Sequence, residues 1–147
     1  MIAVVQRVSE ASVTVEGEVV GRIGRGLLAL VAVHRDDTEE DIDWTAGKLL
    51  ALRLFPSGEK AFEIDVVAAG GSVLLVSNFT VAARTQKGRR PSFDDAADAE
   101  TGRPLFDELV KRVAASGVPV QTGRFGAHMH VSLVNDGPVT VLVDSRS

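Results

Sequence analysis

The sequence predicts a mixed, largely antiparallel α+β domain, and three observations carry that expectation. Short apolar runs bounded by turn residues recur along the chain. Two windows show helical rather than alternating periodicity. The order of these segments, three strands, a helix, a strand, a helix and three strands, lacks the strict alternation of a doubly wound parallel sheet. At 147 residues, with 45% apolar and 24% charged residues, the chain has the size and composition of one packed domain spanning residues 1–147. Global disorder is excluded.

Taken in order, Val13-Thr14-Val15, Glu16-Gly17-Glu18 and Val19-Val20 read as a hairpin, an alternation interrupted by a glycine turn. Leu27 to Val33 is a continuous apolar run, the pattern of a strand buried on both faces. Thr38 followed by Asp41 resembles a capping box, and Ile42, Ala46, Leu49 and Leu50 then recur at helical spacing. Acids at the start of this helix and Lys48 and Arg53 near its end suit the helix dipole. Ser72 to Val76 is the next strand. A second helix is expected from Pro104 to Ala115, with Leu105, Leu109, Val110 and Val113 on one face and Gly117 and Pro119 ending it. Val118 to Gln121, Met129 to Val134 and Val139 to Val143 complete the strands. Between the last two, Asn135-Asp136-Gly137-Pro138 is a strong turn signal.

Charge and composition narrow the function classes. The chain has no cysteine, so disulfides and thiolate chemistry are excluded, which suits a reducing, cytoplasmic setting. The N-terminal residues lack a basic region followed by a long apolar one, so no signal peptide is expected. The longest apolar run is too short to span a bilayer, and no membrane association is expected. Net charge is −4, yet Asp36, Asp37, Glu39, Glu40, Asp41 and Asp43 supply six of the 20 acids within eight residues. That cluster reads as the solvated first turns of a helix. The other 14 acids face 16 basic residues, so local patches decide what is bound. Arg84, Lys87, Arg89 and Arg90 form such a patch, either a phosphate-binding loop or a plain solvated one.

Familiar catalytic kits are missing: no nucleophile elbow, no phosphate-binding glycine loop and no His-Glu-x-x-His. His128-Met129-His130 would place two imidazoles on one face of a strand, but no cysteine or acid lies near it in sequence, and neither a metal nor a cofactor is expected. Nothing in the spacing recommends a Ser-His-Asp relay. Two segments remain. In Ser77-Asn78-Phe79-Thr80 an apolar strand runs into hydroxyl and amide groups around one aromatic, which fits either a ligand wall or strand-end residues bonding to nearby backbone. In Asn135 to Pro138 the Gly-Pro bond carries only a small penalty for cis, about 0.5–1 kcal/mol, and glycine admits close approach of a ligand to the backbone. An ordinary hairpin turn fits the same residues.

Together these segments resemble the D-aminoacyl-tRNA deacylase family over nearly the whole chain. The matching stretches are Ala3 to Val8, Ser77 to Val81, Lys87-Gly88-Arg89-Arg90-Pro91-Ser92-Phe93, Thr122-Gly123, Phe125-Gly126-Ala127 and Val131 to Thr140, of which Asn-Asp-Gly-Pro-Val-Thr is the most specific. The resemblance implies sheets forming a barrel-like core with two or three helices. It implies hydrolysis of the ester joining a D-amino acid, or glycine, to the 3′ end of tRNA. It also implies a homodimer in which Gly137-Pro138 of one subunit enters the site holding Ser77 to Thr80 of the other.

Within that resemblance Thr80, Phe79 and Ser77 take the catalytic positions, with backbone N–H groups near Phe79 and Thr80 stabilising an oxyanion and the RNA 2′-hydroxyl assisting. Thr80 has no adjacent base to make it a nucleophile. Asn78, Phe125, Met129 and Arg7 fall at substrate-side positions, Arg7 holding the Gly137-Pro138 carbonyls that reject an L side chain. Arg84, Lys87, Arg89 and Arg90 would meet tRNA phosphates. One departure stands out: the family usually has Gln where this chain has Asn78. Two other classes compete, a tRNA-end binding module weakened in turnover by Asn78, and a small-ester esterase using Ser77 or Thr80.

Overall fold

The computed structural model describes all 147 residues. Strand β1 (Ile2–Val15) is the axis of the molecule. One of its edges is shared by two strands in succession, β2 (Glu18–Ile23) along Ala11 to Val15 and β3 (Gly26–Ala32) along Ile2 to Val8. The hairpin turn between β1 and β2 has positive φ at both Glu16 (50°) and Gly17 (80°), the geometry that matches the twist of the flanking strands. The expected Val13–Val15 strand is thus the end of a 14-residue strand.

Helix α1 (Glu39–Ala51) opens as its spacing predicts, the Asp41 carboxylate accepting from the Thr38 N–H at 2.9 Å. The chain continues through a small antiparallel hairpin, β4 (Phe55–Ser57) and β5 (Lys60–Ile64), and into β6 (Ser72–Ser77), parallel to β3. A short 3₁₀ turn, Phe79–Ala82, follows directly. Helix α2 spans Ala99–Ala114, so it begins before Pro104. The Asp98 side chain caps it by accepting from Thr101 N–H at 2.8 Å, and Pro104 sits inside, where it forgoes one backbone hydrogen bond. Strand β7 (Val120–Thr122) runs parallel to β6, and β8 (His130–Asp144) closes the chain antiparallel to β1.

The separate strands expected at Met129–Val134 and Val139–Val143 are one. Both halves of β8 lie on β1 and run the same way: Thr14 pairs with His130, Val8 with Asn135, Gln6 with Thr140 and Ile2 with Asp144. Between the pairs Gln6–Thr140 and Val8–Asn135 one β1 residue, Arg7, faces four β8 residues, so Asp136 to Val139 bulge out. The turn signal is real, but it makes a bulge rather than a reversal.

The six-stranded sheet curls into a barrel-like form. β2 crosses β7 so closely that a Cβ on Gly21 would collide with the Thr122 carbonyl oxygen. Alternation along β3 and β6 then serves two cores. Leu27, Ala29, Val31, Val73 and Leu75 meet α1 and α2 (Ile42, Leu49, Phe106, Leu109, Val113). Leu28, Leu74 and Val76 fill the inside of the curl with Val8, Val13 and Ile23. This is the two-sided burial expected for Leu27 to Val33. No helix is long and apolar enough to cross a membrane.

Candidate active site

Where β6 ends, the second core opens to solvent. A cleft of about 810 Å³ is lined there by Leu30, Val76, Ser77, Asn78, Phe79, Thr80, Phe125 and Met129, among others. Parallel pairing of β6 with β3 carries Ser77 to the sheet edge, and the Asn78 N–H donates to Val31 O at 2.8 Å, which fixes where the strand stops. The chain then tightens into the 3₁₀ turn. Val81 N–H donates to Asn78 O at 3.2 Å and Ala83 N–H to Thr80 O at 3.0 Å. The first N–H groups of such a turn have no partner within it, and those of Phe79 and Thr80 meet no carbonyl elsewhere in the chain.

Side chains in this turn are tied to one another. The Thr80 hydroxyl donates to Asn78 Oδ1 at 2.6 Å. An amide oxygen is not a base, so this bond orients the hydroxyl without activating it. The Phe79 ring is 55% exposed and packs edge-on against Phe93 at 5.2 Å. On the opposite wall Phe125 leans on Phe106 at 6.1 Å. The Met129 sulfur accepts from Arg124 N–H at 3.4 Å and lies 2.6 Å from where a Cβ on Gly123 would stand, so Gly123 makes room for it.

The residues singled out in sequence therefore separate into two groups. Ser77, Asn78, Phe79, Thr80, Phe125 and Met129 come together in the cleft. Arg7, Gly137 and Pro138 do not line it. They form a second assembly at the bulge of β8, where the Gly137-Pro138 bond is cis. Arg7 Nε donates to Asp136 O at 2.9 Å and its Nη1 to Leu54 O at 2.8 Å, so one guanidinium ties the bulge to the body of the protein. Asn135 secures the other side: its Oδ1 accepts from Val139 N–H at 2.7 Å, and its Nδ2 donates to Thr140 Oγ1 at 3.0 Å. Gly137 has φ 151°, and a Cβ there would stand 2.7 Å from Val139 N. Asp136, Gly137 and Pro138 are exposed.

The basic patch also divides. A loop closed by paired hydrogen bonds between Arg84 and Ser92 (2.8 and 2.9 Å) carries it. Arg84 is committed to an ion pair with Asp95, whereas Lys87, Arg89 and Arg90 are exposed on the loop and have no acid partner. His128 and His130 stack edge-on at 5.2 Å, and no group of three metal-binding side chains forms around them. His128 lines the cleft instead. Sequence reasoning did not reach Leu30, Val76, Ala97 and Ala99 in the wall, because apolar residues on strands and helix starts carry no local mark of a cleft. A smaller groove of about 470 Å³ beside Ser9 to Ser12 and Ser132 to Val134 gathers none of the residues expected in a site.

A sequence profile of the D-Tyr-tRNA(Tyr) deacylase family matches residues 4–144. The chain belongs to that family. Among curated relatives it is similar to a D-aminoacyl-tRNA deacylase of Desulfitobacterium hafniense, with 54% identity covering 99% of this chain and 98% of that one. It is similar to another of Methylococcus capsulatus, with 55% identity covering 97% and 94%. Among solved structures, a c-Myc DNA unwinding element binding protein shares the fold with a TM-score of 0.93 and 34% identity over 98% of each chain. A probable eukaryotic D-amino acid tRNA deacylase, 19% identical with a TM-score of 0.82 over 97% of each chain, shares the architecture. For a member of a deacylase family, the cleft at the end of β6 is the candidate active site, with hydroxyls and free N–H groups but no strong nucleophile.

Proposed function

We propose that this chain, acting as a single domain, hydrolyses the ester between a D-amino acid, or glycine, and the terminal ribose of tRNA. We further propose that a second copy completes the site. The observation that carries the chemistry is the 3₁₀ turn, whose Phe79 and Thr80 N–H groups are unpaired beside a Thr80 hydroxyl that no base touches. An aminoacyl ester is already reactive, so an oxyanion site can suffice. Water adds to the ester carbonyl, and the carbonyl oxygen becomes an oxyanion that accepts from the two N–H groups. Collapse then breaks the bond to the ribose 3′ oxygen, which takes up a proton with help from the neighbouring 2′-hydroxyl. Free amino acid and tRNA leave. Loss of a single oxyanion donor costs about 10²–10³ in turnover.

Selection in this reading belongs to the Gly137-Pro138 backbone. A pocket graded by side-chain size cannot remove D forms of many amino acids and spare the L forms, so handedness must be read at Cα. Arg7 anchors the bulge at the Asp136 carbonyl and Asn135 anchors it at Val139. The Gly137-Pro138 carbonyls held between these two flanks would block an L side chain and accept a D one, and glycine has nothing to clash. Since these residues do not line the cleft of their own chain, in this reading they serve a partner's cleft.

The sheet supports this pairing. Residues in register project to the same face, and Leu142, Val4, Leu30 and Val76 are successive partners across β8, β1, β3 and β6. The apolar floor of the cleft thus runs out to Leu142, which is 69% exposed on an edge strand. A homodimer covering that row would bring the bulge of each copy to the cleft of the other. Aminoacyl-tRNA as substrate assigns the work to the cytoplasm.

Release of D-Tyr, Gly and L-Tyr from the respective tRNAs tests the activity. A D/L rate ratio far above one is expected, and equal rates would overturn the reading. Shared sites are tested by mixing a Gly137→Val variant with an Asn78→Ala variant after reversible unfolding. Partial recovery of activity in the mixture supports a site built from two chains, and inactivity at every ratio refutes it.

A further inference from the structure

Behind Phe125 in the wall of the cleft stands an arginine that the sequence did not single out. Arg103, in the second turn of α2, lays its guanidinium carbon 4.7 Å from the centre of the Phe125 ring. Phe125 lines the cleft, as do Ala99 in the first turn of the same helix and Ala97 just before its cap, so Arg103 stands beside the cleft. Glu100 and Asp107 lie three residues before and four after it, the spacing at which helix ion pairs form, yet Arg103 pairs with neither and stacks on the ring. The helix backbone itself runs close to the ring: a Cβ at Gly102 would stand in ordinary contact with Phe125, at 3.7 Å.

Stacking occupies the face of a guanidinium and leaves its in-plane N–H donors free. Those donors match the oxygens of a phosphate in a two-point geometry that an ammonium cannot offer. Arg124, the exposed residue before Phe125, adds a second cation without an acid partner next to this wall residue. We infer that Arg103 is a binding residue for an RNA backbone phosphate close to the aminoacylated end, so that the acceptor strand is gripped on both sides of the cleft. The inference rests on the RNA substrate proposed above. It deepens that reading by assigning a contact within a nucleotide or two of the reacting ester, separate from the loop carrying Lys87, Arg89 and Arg90.

The test has two arms. In the first, binding of deacylated tRNA to the wild type, Arg103→Gln and Arg103→Lys is titrated over a range of salt. Arg103→Gln should weaken binding about three- to tenfold near 0.1 M salt and make the log–log salt slope shallower by about one, with partial rescue by Lys. Lys111→Gln, which removes an exposed charge from the far end of the same helix, should leave both unchanged. An unaltered slope in Arg103→Gln, or an equal loss in Lys111→Gln, overturns the inference. In the second arm, steady-state deacylation by Arg103→Gln should show the defect in KM. A defect confined to kcat would mean that Arg103 acts only by supporting Phe125, and would overturn it too. Because the first arm needs no turnover, failure of the phosphate contact is distinguishable from failure of the deacylase reading, which the D/L ratio of the wild type decides.

Discussion

At the scale of single residues, the roles proposed for Thr80 and Arg7 rest on what their side chains touch. Thr80 has its hydroxyl proton directed at an amide oxygen, so removal of the hydroxyl should cost little of the chemistry. Thr80→Ala is expected to keep kcat within about tenfold of the wild type, since no activated nucleophile is lost. A fall of a thousandfold or more in single-turnover deacylation would return Thr80 to a covalent role. Arg7 makes two bonds from one planar fork, to Asp136 O and Leu54 O, and a lysine cannot reproduce both. Arg7→Lys should therefore lower the D/L ratio measurably while the thermal midpoint shifts by only a few degrees. An unchanged ratio would mean that the bulge does not read handedness. Both proposed roles come from the resemblance alone: a Thr at a strand end and an Arg in an apolar strand carry no local mark of what they bond.

At the scale of elements, local pattern located the pieces and distant pairing decided their meaning. The acidic cluster at residues 36–43 reads correctly as a helix start for Glu39, Glu40, Asp41 and Asp43, because caps and dipole preferences act within a few residues. Asp37 differs, standing before the helix with its side chain buried against the Met1 amino group and Arg146, distant partners that no local pattern reveals. Asp41 illustrates the energetics. Burial raises its carboxyl, but the Ser145 hydroxyl, the Thr38 N–H, the Met1 amino group and Arg146 outweigh that and hold it below the usual carboxylate value. A carboxylate depressed by folding stabilises the native state above its unfolded value near 3.8, and that contribution disappears as pH falls through the lower native value. In urea titrations Asp41→Asn should thus be less stable than the wild type at pH 7, with the gap closing below pH 4; a gap independent of pH would contradict this assignment. The bulge of β8 shows the opposite case. Two apolar segments around Asn-Asp-Gly-Pro satisfy a hairpin and a bulge equally well, and the choice lies with β1, more than a hundred residues away. The same limit concealed Ile2–Ser12 as strand, since its evident role exists only once β2, β3 and β8 lie against it.

At the scale of the whole molecule, the decisive feature is the edge that β8 leaves open. Its inner edge is paired along β1, while its outer edge offers unpaired backbone groups over a 15-residue strand. Natural sheets rarely leave so long an edge uncovered; the bulge with Asp136 and Pro138 guards its middle, but Leu142 stands beyond it at the end of the apolar row leading to the cleft. Placing a charge at that position should leave the monomer folded, because the Leu142 side chain contributes little to either core. It should prevent a second copy from covering the row. Leu142→Lys is therefore expected to keep its circular dichroism spectrum, to sediment as a monomer, and to lose deacylation by at least a hundredfold as each cleft loses the partner's Gly137-Pro138. Because the defect would lie in association, raising the protein concentration should recover activity in step with the dimer fraction. A variant that is monomeric at every concentration and fully active would place the complete site within one chain, and the role assigned to the bulge would have to be abandoned.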